Sequence, residues 1–346
     1  MGSAKRNVRV GSCSWAERTM SGTFYPAAVR SAEAKLRYYA ARFDTVEVDS
    51  TFYGLPRRDW VANWVERTPP GFVFHVKAYG LMTQHAVDER SLHPELRGYR
   101  FERTRSGRVA RPEPEMLRRT FDIFLRETEP LRSSGKMGGV LMQFPPYFAA
   151  ADPERARENL GYIERAAEML GGLPVLVEFR HPSWVAEDRA GETFSFLADR
   201  GLSYVCVDAP QFEKRLTLPG VCAATAPTGY VRLHGRNTET YFKRTGTAAE
   251  RFDYLYSRDE LEEWADPVRR LAEETEVTYV MFNNCRNDYA PRNAGEMASI
   301  LGGVVEERRG GVPTGEPAPA EENGADEEPA GGGKRGQGGG QLDLGV

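Results

Sequence analysis

Short apolar runs, rich in β-branched residues and ending in polar ones, recur along the first 284 residues of the chain. Near-continuous apolar runs of this kind are typical of strands that are buried on both faces of a sheet. We therefore predict eight strands, at residues 8–13, 45–50, 72–77, 139–144, 175–180, 203–208, 230–235 and 278–284.

Between these runs lie segments whose apolar residues follow the i, i+3, i+4, i+7 spacing of a helix with one buried face. Ser31 is predicted to cap the first helix. An Asp-Pro pair at 152–153 predicts the start of another, and Ser and Glu at the ends of 257–260 predict a capping box. Pro291 is expected to open the last helix. Only residues 211–227, between the sixth and seventh strands, lack a clear helical pattern.

Strands that alternate with helices predict a parallel sheet covered by helices, and eight strands favour a closed (β/α)8 barrel. We predict a single α/β domain of this TIM-like type over residues 5–305, with an arginine-rich insertion near residues 83–115. An open doubly wound sheet is the alternative, although no G-x-G-x-x-G motif follows the first predicted strand.

The charge of the chain is unevenly distributed. Residues 310–346 contain seven acidic residues, two basic residues and 12 of the 35 glycines, so the formal charge of −4 comes from this end. Residues 306–346 lack apolar periodicity, and we expect them to form a disordered tail.

At the tip of this tail, Gln341, Leu342 and Leu344 resemble the short peptide with which bacterial DNA-processing proteins bind the replication sliding clamp. The clamp is therefore an expected partner.

Composition also limits the cellular setting. No apolar run approaches the roughly 18 to 20 residues that span a bilayer, and the first ten residues lack the apolar stretch of a signal peptide. The four cysteines are far apart in the sequence, without a C-x-x-C pair, so neither a disulfide framework nor a structural zinc site is indicated. We expect a cytoplasmic protein that makes no contact with membranes.

In a (β/α)8 barrel the active site is built where the carboxyl ends of the strands meet, so polar residues at these ends are the candidates for chemistry. Glu178 and Arg180 alternate with apolar residues and should therefore both point into the barrel mouth. Nearly every predicted strand ends in such a residue. The set comprises Glu47, Asp49, His75, Lys77, Gln143, Glu178, Arg180, Asp208, Arg232, His234, Asn283 and Asn284.

Three functional hypotheses fit this set. The first, which we predict, is a metal-assisted hydrolase or phosphoesterase that uses Mg²⁺, Mn²⁺ or Zn²⁺ and acts on a phosphate-bearing or nucleic-acid-related substrate; the other two are alternatives. The second is a metal-free sugar-phosphate isomerase or lyase, with Lys77 as the base or Schiff-base amine and Glu178 as the proton donor. The third is a non-catalytic, nucleic-acid-associated module in which the charged residues only form salt bridges. The candidate metal ligands are Glu47, Glu178, Asp208 and His234.

The arginines predict what kind of ligand the site takes. Guanidinium groups suit phosphates and carboxylates, so Arg180, Arg232 and Arg236 predict an anionic substrate, either a small molecule or nucleic acid. Aromatic residues follow the strand ends, and we expect Trp15 and Tyr53 to stack on a base or a sugar. Residues 97–111 contain six arginines and one glutamate. This loop fits a nucleic-acid contact, although a solvated loop explains it almost as well.

Several of these motifs, taken in order, resemble the YecE-like family, known as domain of unknown function 72, from about residue 8 to residue 301. That resemblance implies a TIM-barrel-like fold and no particular activity. Two departures are Cys13-Ser14, where the family usually has Ser-Gly, and Asp49, where it usually has Asn. The segments that carry the resemblance are GSCSW at 11–15, FYP at 24–26, YYA at 38–40, TFY at 51–53, QFPP at 143–146, EFR at 178–180, SW at 183–184, HGR at 234–236 and FNN at 282–284, together with Glu47, Lys77, Asp208 and Arg232.

Overall fold

A computed structural model describes residues 7–212, 217–243 and 248–302. The strands are β1 (Val8–Ser12), β2 (Thr45–Val48), β3 (Val73–Lys77), β4 (Phe101–Arg103), β5 (Val109–Pro112), β6 (Met137–Gln143), β7 (Val175–Glu178), β8 (Ser203–Asp208), β9 (Thr228–Leu233) and β10 (Val277–Phe282). The helices are α1 (Ala32–Ala40), α2 (Arg58–Glu66), α3 (Pro114–Ser133), α4 (Pro153–Met169), α5 (Ala190–Ala198), α6 (Ala248–Arg251), α7 (Arg258–Glu274) and α8 (Tyr289–Leu301).

Eight of the strands form a closed parallel barrel in the order β1-β10-β9-β8-β7-β6-β3-β2, which confirms the predicted fold. The barrel closes between β1 and β10, where Gly11 lies opposite Met281. Glycine is needed at residue 11 because a Cβ atom there would lie 2.4 Å from the carbonyl oxygen of Thr45 on the other neighbouring strand. Apolar side chains form the core between the sheet and the helices, whereas the inner face of the barrel also carries buried charged side chains, among them Glu47, Glu178 and Arg232.

The predicted helix starts are confirmed in most cases. Ser31 accepts a hydrogen bond from the Ala34 amide, and Ser257 forms the predicted capping box with Glu260. Helix α8 begins at Tyr289, two residues before the proline expected to open it. The short helix α6 has no apolar periodicity that could have predicted it.

Residues 80–112 form the insertion on the mouth side of the barrel, and they contain a hairpin of β4 and β5 that we did not predict. Val87, which precedes the hairpin, pairs with Val109 of β5 in an isolated antiparallel bridge. Arg103 pairs with Glu89 at 2.9 Å and Arg111 with Glu102 at 3.0 Å, whereas Arg105 is exposed. Part of the arginine run is therefore neutralised locally.

The predicted tail at 306–346 and its clamp-binding peptide lie outside the described residues. Among the helices that the structure does describe, none has both the length and the apolar character needed to cross a bilayer.

Candidate active site

The register of the parallel strands decides which side chains face the barrel interior. Residues paired across neighbouring parallel strands present their side chains on the same face of the sheet. Glu47 of β2 pairs with His75 of β3, and Gln143 of β6 pairs with Glu178 of β7. The side chains that meet in and above the interior are Glu47, Asp49, His75, Lys77, Gln143, Glu178, Arg180, Tyr230, Arg232, His234 and Asn283.

Arg232 is the centre of this group, and its side chain is fully buried. One terminal nitrogen donates to Glu178 Oε2 at 2.5 Å, and the other donates to Glu47 Oε1 at 2.5 Å and to Cys13 Sγ at 3.7 Å. The Tyr230 hydroxyl donates to Glu47 Oε2 at 2.9 Å. Strands β1, β2, β7 and β9 are therefore linked through one guanidinium group.

Opposite charges keep Arg232 and Glu178 ionised in spite of their burial. Burial lowers the pKa of Arg232, but the carboxylates of Glu178 and Glu47 have the larger effect and hold this pKa well above its usual value. Glu178 is affected in the opposite direction. Burial raises its pKa, but Arg232, His234 and Arg180 outweigh this and hold the pKa well below its usual value. The pair is therefore ionised in the folded protein.

His234 is held neutral at the end of β9. Burial lowers its pKa to about 3, although Glu178 opposes the shift. Asn283 Nδ2 lies 2.8 Å from His234 Nδ1, and with the amide in this orientation it donates to that nitrogen. The imidazole proton is then on Nε2, which lies 3.1 Å from Glu178 Oε1. Both ring nitrogens are thus engaged, and the ring is closed to solvent.

Glu47 and Asp49 form a carboxyl pair on the same face of β2. Burial raises the pKa of Glu47 to about 7, and the neighbouring Asp49 carboxylate supports the shift. Burial also raises the pKa of Asp49, but Lys77, Arg232 and the hydrogen bond to Glu47 outweigh it and lower that pKa overall. Glu47 is therefore the member that holds a proton near neutral pH, and it shares this proton with Asp49.

Lys77 and Asp49 bring this pair to the surface of the mouth. Lys77 Nζ lies 3.3 Å from Asp49 Oδ1, and the Asp49 side chain retains 26% of its exposure. The Lys77 ammonium also lies 4.8 Å from the centre of the Phe52 ring. The partly exposed Asp49 carboxylate and the Lys77 side chain, which retains 12% of its exposure, thus lie next to a buried proton-holding group.

Arg180 occupies the opposite side of the mouth, after β7. It donates to Glu178 Oε1 at 2.9 Å and to the Tyr241 hydroxyl at 2.8 Å, and it lies 3.0 Å from His234 Nε2. Gln143 donates to the same Glu178 oxygen at 2.6 Å. Arg180 therefore connects the buried network to the loop that follows β9.

Asp208 and Arg236 lie elsewhere, contrary to the prediction that placed them in the mouth. Asp208 pairs with Leu233 on β9, so it shares the outward face. It accepts hydrogen bonds from Trp264 Nε1 on helix α7, the Tyr256 hydroxyl and Arg236. Its contacts tie the barrel to α7, and the prediction failed because Asp208 alternates with the inward residues of its strand.

Two further predicted substrate contacts are also structural. Trp15 is 5% exposed and packs edge-on against Trp64 of α2 and Phe74, so it contributes to the layer between barrel and helices. Asn284 donates to the Tyr254 carbonyl and to Asn293 of α8, whereas its neighbour on the chain, Asn283, faces the site. Tyr53, in contrast, stands at the rim with 61% of its surface exposed.

The donor set does not fit a divalent cation. The two oxygens of Glu178 already accept from four side chains, and Glu47 accepts from Arg232 and Tyr230. A metal would have to displace arginines that compensate these buried charges. Within residues 7–212, 217–243 and 248–302, no group of three or more His, Cys, Asp or Glu is placed to hold a metal ion.

Sequence reasoning missed several residues of the site. Tyr230 has the same strand parity as Arg232 and His234, so the period-two rule could have found it. Tyr241 lies in the loop after β9 and Arg251 ends the short helix α6, and no periodic pattern there indicates which way a side chain points.

Comparisons with known proteins agree with this architecture. The chain matches the model of the family described as "Protein of unknown function DUF72" over residues 9–320. It is 29% identical to the UPF0759 protein YunF of Bacillus subtilis (strain 168) over 298 residues, which is 85% of this chain and 94% of that protein.

Solved structures extend the similarity. A DUF72 family protein from Thermotoga maritima MSB8 is 30% identical to this chain. The alignment has a TM-score of 0.67 and covers 85% of this chain and 99% of the other. A DUF72 family protein from Enterococcus faecalis V583 is 26% identical, with a TM-score of 0.68 over 85% and 95% of the two chains.

Proposed function

Because the chain belongs to the DUF72 family, whose description assigns no activity, we propose a function from the chemistry of the barrel mouth itself. We infer an acid–base enzyme that works without a divalent metal on a small, phosphate-bearing substrate. The reaction is proton transfer next to a carbonyl group, as in a sugar-phosphate isomerase or lyase.

The observation that carries this proposal is the Glu47–Asp49–Lys77 arrangement. A general base must be accessible, and Asp49 is the carboxylate of this group that reaches solvent. Glu47 lies beside it with a pKa of about 7, so near neutral pH it is ionised in part of the molecules, and in these it can accept a proton that Asp49 has taken up. Lys77, at 3.3 Å from Asp49, is placed to stabilise the negative charge that develops on the substrate oxygen.

Substrate binding is assigned to Arg180. Its guanidinium group retains 16% of its exposure at the mouth and is held in place by Glu178 and Tyr241. A guanidinium group fixed in this way suits a phosphate, because it presents its donors in one plane. This division of roles favours the metal-free hypothesis over the metal-assisted hydrolase, since the carboxylates that a metal would need already bind Arg232.

The test is hydrogen exchange with solvent. The protein is incubated in D₂O with a panel of aldose and ketose phosphates, and loss of the proton signal next to the carbonyl is followed by NMR. We expect exchange with at least one compound, unchanged by EDTA. Asp49→Asn should lower the rate at least 100-fold because it removes the accessible base.

The matched control is Asp122→Asn, which changes an exposed aspartate of α3 by the same single atom. This variant should exchange at the wild-type rate. Absence of exchange across the panel, or exchange that needs added Mn²⁺ or Mg²⁺, would overturn the proposal, and the second result would favour the metal-assisted alternative.

A further inference from the structure

His85 lies on the mouth side of the barrel, in the insertion that follows β3, and its two ring nitrogens have different surroundings. Nδ1 lies 2.9 Å from Thr83 Oγ1. The Thr83 hydroxyl donates its own proton to the Gly80 carbonyl at 3.2 Å, so its oxygen accepts a hydrogen bond from the imidazole. This arrangement puts the ring proton of the neutral imidazole on Nδ1 and leaves a lone pair on Nε2.

The lone pair on Nε2 has no partner in the described part of the protein. Among residues 7–212, 217–243 and 248–302, no group donates a hydrogen bond to this nitrogen. The His85 side chain is half-buried, and Nε2 itself is not sealed off from solvent. Burial and then the positive charge of Lys77 lower the pKa of His85 to about 3, so the imidazole is neutral at neutral pH.

The His85 ring lies beside the proposed reaction centre. It meets the Phe52 ring edge-on with centres 4.9 Å apart, and the Phe52 centre lies 4.8 Å from Lys77 Nζ. Lys77 in turn lies 3.3 Å from Asp49. Phe52 therefore contacts both the imidazole and the ammonium that is proposed to stabilise the substrate oxygen.

The turn that carries His85 is held by contacts on two sides. The His85 amide donates to the Gly80 carbonyl at 2.9 Å. Gln84 adopts a φ of +62°, which is uncommon for a residue with a side chain, and its carbonyl accepts from the Tyr147 hydroxyl at 2.6 Å. Such backbone conformations persist where surrounding contacts enforce them, and they are frequent at functional sites. The imidazole is therefore fixed in place before a ligand binds.

The chemistry of Nε2 determines which kind of group it can bind. An unprotonated ring nitrogen accepts a hydrogen bond and cannot donate one. Phosphate and carboxylate groups offer mainly acceptor oxygens at neutral pH, whereas a hydroxyl group offers a proton. The buried histidines His75 and His234 present no such nitrogen, because both ring nitrogens of His234 are engaged and His75 is fully buried. His85 thus fits a hydroxyl group of the substrate.

We propose that His85 Nε2 accepts a hydrogen bond from the hydroxyl group on the carbon atom next to the carbonyl group of the substrate. The inference rests on the proposed function, because it places the carbonyl oxygen at Lys77. It adds that the substrate is an α-hydroxy aldehyde or ketone that bears a phosphate, and it makes His85 a residue that determines specificity. A 2-deoxy sugar phosphate leaves Nε2 unpaired and should bind less tightly.

Binding measurements by calorimetry test the inference with two pairs of probes: ribose 5-phosphate with 2-deoxyribose 5-phosphate, and glucose 6-phosphate with 2-deoxyglucose 6-phosphate. In at least one pair, we expect the wild type to bind the hydroxylated probe about 10-fold more tightly than the deoxy probe. This affinity ratio should be the same at pH 6 and pH 8, since His85 is neutral at both.

His85→Phe keeps an aromatic ring against Phe52 but has no acceptor, so the affinity ratio should fall to about 1 while the deoxy probe binds as before. His85→Gln brings an amide oxygen within reach of the same position and should keep part of the ratio. His93→Phe is the matched control, since it removes another half-buried imidazole of the same insertion, whose Nδ1 accepts from the Glu95 amide. It should show the wild-type ratio.

Thermal melting of each variant verifies that it folds, and the wild-type ratio by itself can overturn the inference. Equal affinity within both pairs would do so, as would the absence of binding by all four probes. A ratio that survives in His85→Phe, or that is lost equally in His93→Phe, would also overturn it. Failure of the proposed function is recognised separately: a hydroxylated probe that binds as expected without hydrogen exchange would leave the binding role of His85 intact.

Discussion

At the scale of the residue, Arg232 shows how one buried side chain can organise a site. Its charge is excluded from water, so it is tolerable only because Glu47 and Glu178 bind its two terminal nitrogens. The same contacts explain why these carboxylates are poor metal ligands here. These contacts are our reason for proposing the metal-free hypothesis.

Replacing Arg232 should therefore be severe. In Arg232→Met, two buried carboxyl groups lose their common partner, and we expect the free energy of unfolding to fall by about 3 to 5 kcal/mol. Urea denaturation followed by circular dichroism measures this. Arg118→Met, in which the lost side chain is 63% exposed, should change stability by less than about 0.5 kcal/mol. Similar effects of the two changes would refute the buried network.

The raised pKa of Glu47 predicts how the stability of the protein depends on pH. Its pKa is about 7 in the folded protein and 4.5 as a free side chain, so the folded state binds the proton more tightly. The stability that this proton contributes is complete below pH 4.5 and is lost as the pH rises through about 7. Glu47→Gln cannot lose a proton. Between pH 5 and pH 8, wild type should therefore lose stability relative to this variant, by roughly 1.4 kcal/mol per pH unit at most.

Denaturation of both proteins at several pH values provides the measurement. A constant difference between them across this range would show that Glu47 is ionised throughout. In that case Glu47 would not gain and lose a proton near neutral pH, and the proposed proton exchange between Asp49 and Glu47 would be excluded.

At the scale of the element, the end of β9 is held by contacts on its outer side. Gly235 adopts a φ of +87°, and its amide donates to the Tyr256 hydroxyl at 2.8 Å. That hydroxyl donates in turn to Asp208 at 2.5 Å. Asp208 is therefore a positioning residue, because it fixes the turn that directly follows His234.

Tyr256→Phe tests this link. It removes one buried hydroxyl and leaves both the Gly235 amide and Asp208 without that partner, so we expect a loss of about 1 to 3 kcal/mol. Tyr254→Phe removes a hydroxyl that bonds the half-buried Glu260 and should cost less. Thermal melting compares the two, and a smaller effect for Tyr256→Phe would contradict the assigned role of Asp208.

At the scale of the whole molecule, we expect acid unfolding to begin at a higher pH than protonation of the carboxylates alone would cause. Burial lowers the pKa of His75, His85 and His234 to about 3. Unfolding near pH 5.5 therefore takes up about three protons at these histidines and releases about one from Glu47. The unfolded state binds more protons, so stability is present above pH 6.5 and falls as the pH decreases.

The expected slope is about two protons, or roughly 2.7 kcal/mol per pH unit between pH 5 and pH 6. His75→Gln should reduce it by about one proton, since both His75 ring nitrogens lack a hydrogen bond within the described residues. A flat stability profile in this range would show that these histidines accept protons in the folded state.

The last residues of the chain predict binding to the replication sliding clamp. If Gln341, Leu342 and Leu344 bind the replication sliding clamp, removal of residues 341–346 should abolish capture of the chain by immobilised clamp. Removal of residues 316–321, upstream in the same segment, should not. Equal capture of both truncated chains would exclude this peptide as the binding element.

The sequence was sufficient to predict the barrel and much of its inner surface. Eight apolar runs predicted the eight strands, and the period-two rule placed Glu178 and Arg180 together inside the mouth, because alternation along a strand is a local property. The same rule failed for Asp208, since a polar strand end by itself does not reveal whether it faces the barrel or a helix.

By itself, therefore, the sequence determined the fold and the kinds of functional group at the strand ends. Only the tertiary structure decided which groups touch. Arg232 lies between Glu47 and Glu178, which are 131 residues apart in the chain. Such contacts depend on strand register and on barrel closure, which bring distant residues within hydrogen-bond range, and no local pattern encodes that distance. The difference matters chemically, because both oxygens of Glu47 and of Glu178 already accept hydrogen bonds, whereas the Asp49 side chain beside Lys77 retains 26% of its exposure.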